Sequence, residues 1–188
     1  SRFVKSGSEK GNKYNHLVLL AKNSQGYKNL IMLSSIGYTE GFYYKPRVDM
    51  EVLKQYSSDL ICSTACLAGE IPSLILQDKY EEAKARALEY QNIFGKDNFY
   101  LELQDHGIPE QATANRGLKR ISKETGIPLI ATNDMHYVNK DEANAQDIMI
   151  CIGTNKKKNE SKRMSFGGPE FYMKSPDEMA AIFHDTPE

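Results

Sequence analysis

The 188-residue sequence is poor in cysteine, carries almost no net charge and lacks a long apolar run. Its three cysteines include no CxxC pair, which argues against a disulfide framework and favours a reducing compartment. A formal net charge of -1 gives the chain as a whole no electrostatic footprint for nucleic acid. No stretch approaches the roughly 18 apolar residues that a membrane span needs. We therefore expect a globular, cytoplasmic protein without a membrane partner.

The sequence also lacks the common nucleotide-binding and acyl-transfer motifs. It contains no G-x-G-x-x-G turn, no P-loop and no nucleophile elbow. Use of a nucleotide cofactor is therefore not indicated, and neither is a serine-based hydrolase.

Short apolar runs alternate with segments of helical periodicity. Strands are predicted at 17–21, 60–63, 99–103 and 129–131, with an edge strand at 171–173. Helices are predicted at 29–38, 50–56, 80–94, 110–125 and 140–152, and a capping box of Ser175 and Glu178 begins a last helix. Because parallel neighbours need a crossover helix, this order predicts an α/β fold with a parallel sheet. Four strands cannot close a barrel of about eight, so the chain forms either a small open sheet or part of a barrel.

Polar side chains follow three of the predicted strands at one edge of this sheet. Cys66 follows the second strand, His106 the third, and Asp134 and His136 the fourth. In α/β folds this edge is where sites are built. A thiolate, an imidazole and a carboxylate together form a ligand set that zinc, manganese or iron accepts. The pattern therefore predicts a metal site at this edge.

Each candidate ligand also has a structural interpretation. Cys62 and Cys151 lie inside a predicted strand and helix, where a free cysteine is usually a small core residue. For His106 the ligand and structural interpretations have equal weight, and Asp134 beside Asn133 suits an Asx turn. His16 begins its strand, so the geometry of a parallel sheet does not group it with the others. The basic run at 156–163 is typical of a solvated loop, although it could contact phosphate.

Several strings resemble the PHP (polymerase and histidinol phosphatase) domain of the bacterial DNA polymerase III alpha-subunit family. The strings lie at 16–23, 26–30, 40–49, 65–71, 94–95, 101–107, 130–137, 171–175 and 178–179. The string FYYKPR at 42–47 is typical of the polymerase branch of that family.

The resemblance implies a fold and a ligand set. The fold is part of a distorted (β/α)7 PHP-type barrel with parallel strands alternating with helices. The implied metal ligands are His16, Cys66, Asp134 and His136, and the implied cofactor is divalent zinc, manganese or magnesium. The family's opening ligands would precede Ser1, which is not Met. We therefore expect residues 1–188 to be the C-terminal portion of a PHP domain, with a mobile basic, glycine-containing loop at 154–170 and weak or absent metal binding.

Three functions are consistent with the resemblance. In the first, the chain belongs to a replicative DNA polymerase whose PHP domain is a metal-dependent 3′–5′ proofreading exonuclease. In the second, the domain is a catalytically silent scaffold that docks a separate exonuclease subunit. In the third, it is a stand-alone PHP phosphatase. The implied partners are DNA, through the parent polymerase, and other replicase subunits, whereas the chain alone is expected to be inactive.

Overall fold

The computed structural model of the chain describes residues 2–3 and 14–186. The described residues contain four strands, namely β1 (Val18–Ala21), β2 (Leu60–Ser63), β3 (Phe99–Leu103) and β4 (Leu129–Ala131). They also contain seven α-helices and a 3-10 turn at Lys140–Glu142. The helices are α1 (Ser24–Thr39), α2 (Met50–Gln55), α3 (Glu70–Leu76), α4 (Tyr80–Phe94), α5 (Pro109–Thr125), α6 (Ala143–Thr154) and α7 (Pro176–Ile182).

The strands form one open sheet in the order β1-β2-β3-β4. The β2–β3 and β3–β4 pairs are parallel, but β1 runs antiparallel to β2, with Val18 opposite Ser63 and Ala21 opposite Leu60. The expectation of a fully parallel sheet was therefore wrong for the first strand. Helices α1 and α2 both lie between β1 and β2, so this connection is not the single crossover helix from which a parallel pair was predicted. The alternating α/β architecture is confirmed, whereas the closed seven-fold barrel stays a prediction.

Local sequence signals explain where most helices begin and end. The Asn23 side chain accepts hydrogen bonds from the backbone at the start of α1, and Asp49 does the same for α2. Gly126 ends α5 in the left-handed conformation that glycine adopts at low cost. Ser175 and Glu178 form the predicted capping box at the start of α7.

The hydrophobic core lies where helices α3, α4 and α5 pack together and against the sheet. Its largest fully buried side chains come from the strands and from the inner faces of these helices. They include Leu60, Ile71, Phe99, Leu101, Leu118 and Ile121. The core covers one face of the strands, and residues that follow the carboxyl ends of β2 and β4, such as Cys66 and Asp134, line an open cleft.

Several parts of the chain differ from the predicted elements. Helix α1 begins at Ser24, five residues before the predicted start, and the first turn of the helix predicted at 140–152 is a 3-10 turn. Helix α3 was not predicted, because its seven residues are too few for a periodic signal and include Pro72. Residues 171–173 form an isolated parallel bridge between Tyr172 and Tyr137 instead of an edge strand. Residues 156–170 contain neither helix nor strand, and the mobility of the 154–170 loop stays a prediction. None of the described helices combines the length and the apolar character that a membrane crossing requires.

Candidate metal centre

The antiparallel direction of β1 brings His16 to the edge of the sheet where Cys66 lies. Because β1 runs opposite to β2, its start lies beside the carboxyl end of β2. The His16 backbone N–H donates to the Ala68 carbonyl at 2.9 Å. The Cys66 Sγ then lies 3.5 Å from His16 Nδ1. The structure thus groups His16 with Cys66, which the assumption of a parallel sheet had not done.

The tight turn between β2 and α3 gives Cys66 its position. The Gly69 backbone N–H donates to the Cys66 carbonyl at 2.8 Å. A Cβ atom at Gly69 would stand 2.0 Å from the Thr64 carbonyl oxygen, so the turn needs glycine for its close approach. Ala65 adopts a positive φ of 58° within the same turn. This compact turn holds the half-buried Cys66 side chain beside β1.

Asp134 and His136 form a second pair just beyond β4. The Asp134 Oδ1 lies 3.4 Å from His136 Nε2, and both side chains are partly exposed. The backbone N–H of His136 donates to the Phe171 carbonyl at 2.8 Å. The Phe166 ring packs against the imidazole at 4.3 Å between centroids. Aromatic packing therefore orients His136 without using its ring nitrogens.

Both pairs line one open cleft with a volume of about 1190 Å³. The structure brings His16 to Cys66 and Asp134 to His136, but it does not bring all four together. Within residues 2–3 and 14–186, no group of three or more His, Cys, Asp and Glu side chains is placed to hold one ion. The described residues therefore provide two separate pairs of donors that face the same cleft.

The spacing within each pair fits a metal ion. Zinc binds nitrogen and oxygen at about 2.0–2.2 Å and sulfur at about 2.3 Å, so two ligands of one tetrahedral ion stand roughly 3.4–3.6 Å apart. The separations within the two pairs, 3.5 Å and 3.4 Å, lie in this range. A zinc site normally uses three or four protein ligands. Each pair therefore fits half of a site and needs further donors to complete it.

His106 has a structural environment. Its ring is buried and stacks on Phe171 at 4.2 Å with an interplanar angle of 2°. Gln111 Oε1 accepts from the His106 backbone N–H at 2.8 Å, so the Gln111 amide nitrogen faces His106 Nδ1 at 2.9 Å and donates to it. Burial, and then the Lys174 ammonium, lower the pKa of His106. A neutral, buried imidazole locked by Gln111 favours the structural interpretation.

The other two cysteines are core residues, as predicted. Cys62 is fully buried within β2, and Cys151 is buried in α6. Burial, and then the charge of Glu102, raise the pKa of the Cys62 thiol. Cys62 therefore remains a protonated thiol at neutral pH and offers no thiolate.

Three carboxylates that line the cleft, Asp49, Glu70 and Glu102, were not predicted as site residues. Glu70 accepts a hydrogen bond from the Tyr90 hydroxyl at 2.8 Å and pairs with the Arg86 guanidinium at 3.0 Å. Glu102 lies on the cleft floor although it belongs to the apolar strand β3. A glutamate within an apolar strand was a signal available in the sequence, because such a residue is rarely buried unless it has partners.

The chain is similar to known proteins along its whole length. The family model described as "PHP domain" matches residues 4–106. The DNA polymerase III subunit alpha of Borreliella burgdorferi is 51% identical over 188 residues, which is 100% of this chain and 16% of that protein. The protein of the same name from Treponema pallidum is 47% identical over the same coverage. The one from Thermus aquaticus is 44% identical over 173 residues, which is 92% of this chain and 14% of that protein. The chain thus spans about a sixth of the length of these curated relatives.

Proposed function

Because the chain belongs to the PHP domain family, we propose that it is the metal-binding PHP region of a bacterial DNA polymerase III alpha subunit. The relatives of that name support the polymerase context, since they match the chain from end to end. The proposal includes DNA synthesis by the full-length protein, a cytoplasmic location, and DNA and other replicase subunits as partners. A stand-alone phosphatase is the weaker alternative, because relatives named DNA polymerase III subunit alpha match 92–100% of the chain.

 The two donor pairs would bind divalent metal ions at the cleft. A bound divalent ion supplies Lewis-acid stabilisation of a phosphoester and lowers the pKa of bound water. His16 and Cys66 on one side, and Asp134 and His136 on the other, would bind and orient such ions. These residues act as ligands in the proposal and not as general acids or bases. The observation that carries the proposal is the spacing within each pair, 3.5 Å and 3.4 Å, across one cleft.

The finer proposal is that this site cleaves DNA from its 3′ end in the full-length alpha subunit. We expect 3′–5′ exonuclease activity with manganese or zinc, and its loss in Asp134→Ala and His136→Ala variants. The matched control is Asp141→Ala, which removes a carboxylate from the exposed 3-10 turn. Activity that persists in both site variants, or that is absent from the unsubstituted protein, contradicts the exonuclease proposal.

A scaffold role is the second candidate, and one observation favours it. In the part of the chain that the structure describes, the candidate metal ligands lie close together only in pairs. Two protein ligands are too few for a catalytic zinc site. In this alternative the domain braces the polymerase and docks a separate 3′–5′ exonuclease subunit. Co-purification of that subunit with the chain, without intrinsic nuclease activity of the full-length protein, is the expected result. Measured nuclease activity together with failure to bind the subunit would reject the scaffold.

A further inference from the structure

Glu102 is a buried carboxylate that receives hydrogen bonds at both of its oxygens. The residue is 7% exposed. The Ser63 hydroxyl donates to Oε2, and the Thr132 hydroxyl donates to Oε1 at 2.5 Å. The Gln104 amide nitrogen also donates to Oε1, at 3.0 Å. Among the described residues, no ion pair involves Glu102, so neutral donors alone satisfy its carboxylate.

The two hydroxyl donors lie at the ends of two strands that are not neighbours in the sheet. Ser63 ends β2, and Thr132 directly follows β4, whereas Glu102 lies in β3 between them. The Glu102 backbone also bonds to the segment that follows β2, because its N–H donates to Thr64 Oγ1 at 2.8 Å. A single side chain therefore connects the carboxyl ends of the two outer parallel strands.

Each of these hydroxyl residues lies shortly before a residue of the candidate metal centre. Ser63 precedes Cys66 by three positions, and Thr132 precedes Asp134 by two. The parallel pairing that otherwise aligns the strands is short, with two residue pairs between β2 and β3 and three between β3 and β4. The Glu102 side chain adds to this short pairing one hydrogen bond at the end of β2 and one directly after β4.

Burial of a carboxylate without a cation is unfavourable unless hydrogen bonds replace its hydration. An apolar side chain at position 102 could pack in the core without the unfavourable burial of a charge. We propose that Glu102 is a positioning residue that sets the spacing between the Cys66 and Asp134 segments of the cleft. The effect of Glu102 on metal binding rests on the proposed function. The hydrogen bonds by which Glu102 links the two strand ends do not depend on it.

The metal-free test is a double-mutant cycle in the full chain with Ser63→Ala and Thr132→Val. If Glu102 connects the two strand ends, the effects on unfolding are not additive, with a coupling of at least about 3-fold in the unfolding equilibrium constant. Two independent hydrogen bonds would instead give additive effects, and that result overturns the proposal. This cycle needs no change at Glu102, so it remains decisive even if a Glu102 variant fails to fold.

The second test measures zinc affinity by competition with a chromophoric chelator. Glu102→Gln should weaken zinc binding by about 10–100-fold, as substitutions behind metal ligands commonly do. Glu110→Gln, at an exposed position in the first turn of α5, is the matched control and should leave the affinity unchanged. Equal affinities of the Glu102 and Glu110 variants would overturn the proposal. Both zinc measurements use the full-length alpha subunit. If that protein binds no zinc, the result counts against the proposed function, and the double-mutant cycle still decides the role of Glu102.

Discussion

Replacement of Gly69 by alanine places one methyl group inside the turn that positions Cys66. The backbone of Gly69 has φ -69° and ψ 155°, values that alanine adopts without strain. Any loss of stability must therefore come from contact of the new Cβ with its surroundings. That atom would stand 2.0 Å from the Thr64 carbonyl oxygen and 3.1 Å from that of Cys66.

The neighbouring backbone cannot easily move away from this methyl group. The Thr64 N–H donates to Tyr100 in β3 at 3.2 Å, and its hydroxyl accepts from the Glu102 backbone at 2.8 Å. Overpacking of this kind costs about 1–3 kcal/mol, and the rigid surroundings favour the upper end. Alanine regains up to about 1 kcal/mol through the entropy of the unfolded chain. We expect a net loss of about 2 kcal/mol in the free energy of unfolding.

The assay is urea denaturation at 25 °C with Gly153→Ala as the matched control. A Cβ at Gly153 meets no atom within 4 Å, and the residue lies in α6. That variant should gain up to about 1 kcal/mol from helix propensity. The midpoint of Gly69→Ala should fall without a change in the denaturant slope. If the two variants differ by less than about 0.5 kcal/mol, the steric reasoning for the turn is wrong.

Two further predictions concern stability away from the cleft. Hydrogen bonds from Lys84 and Arg120 lower the pKa of Glu124 from 4.5 to about 2, so its stabilising contribution is complete above pH 4.5 and is lost as the pH falls toward 2. The loss of stability between pH 4.5 and 2 should therefore be smaller in Glu124→Gln than in the unsubstituted protein. An identical pH dependence of unfolding in both proteins would contradict the assignment. Ser175→Ala removes the side chain that caps α7 and should cost about 1 kcal/mol, measured by urea denaturation against Ser165→Ala as a control outside any helix or strand.

The boundaries of α2, α4 and α7 could be predicted from the sequence because they depend on residues close together in the chain, whereas the start of α1 was placed five residues too late. Asp49 caps α2, Gly95 ends α4 and the Ser175 box starts α7, and each signal operates within about one turn. The short strands β3 and β4 were also predicted at the observed bounds, since their apolar runs are flanked by clear turn signals. These elements need no knowledge of the distant chain.

The direction of β1 could not be predicted in this way. A four-residue apolar run looks the same in a parallel and in an antiparallel pair, and only the path through α1 and α2 determines which forms. That path decides whether His16 lies at the cleft edge. Glu102 was missed for a related reason, because its partners Ser63 and Thr132 are 39 and 30 residues away in the chain. The site thus depends on contacts that local patterns do not encode.

Cobalt titration of the chain tests most directly whether Cys66 contributes to a metal site at the cleft. A thiolate bound to Co²⁺ gives an intense ligand-to-metal charge-transfer band, and Cys66 is the cysteine whose sulfur lies beside a cleft imidazole. We predict that the band appears at high cobalt concentration, because each pair supplies only two donors, and that Cys66→Ser abolishes it while Cys151→Ser does not. A band that persists in Cys66→Ser, or one that Cys151→Ser abolishes, would contradict the metal centre.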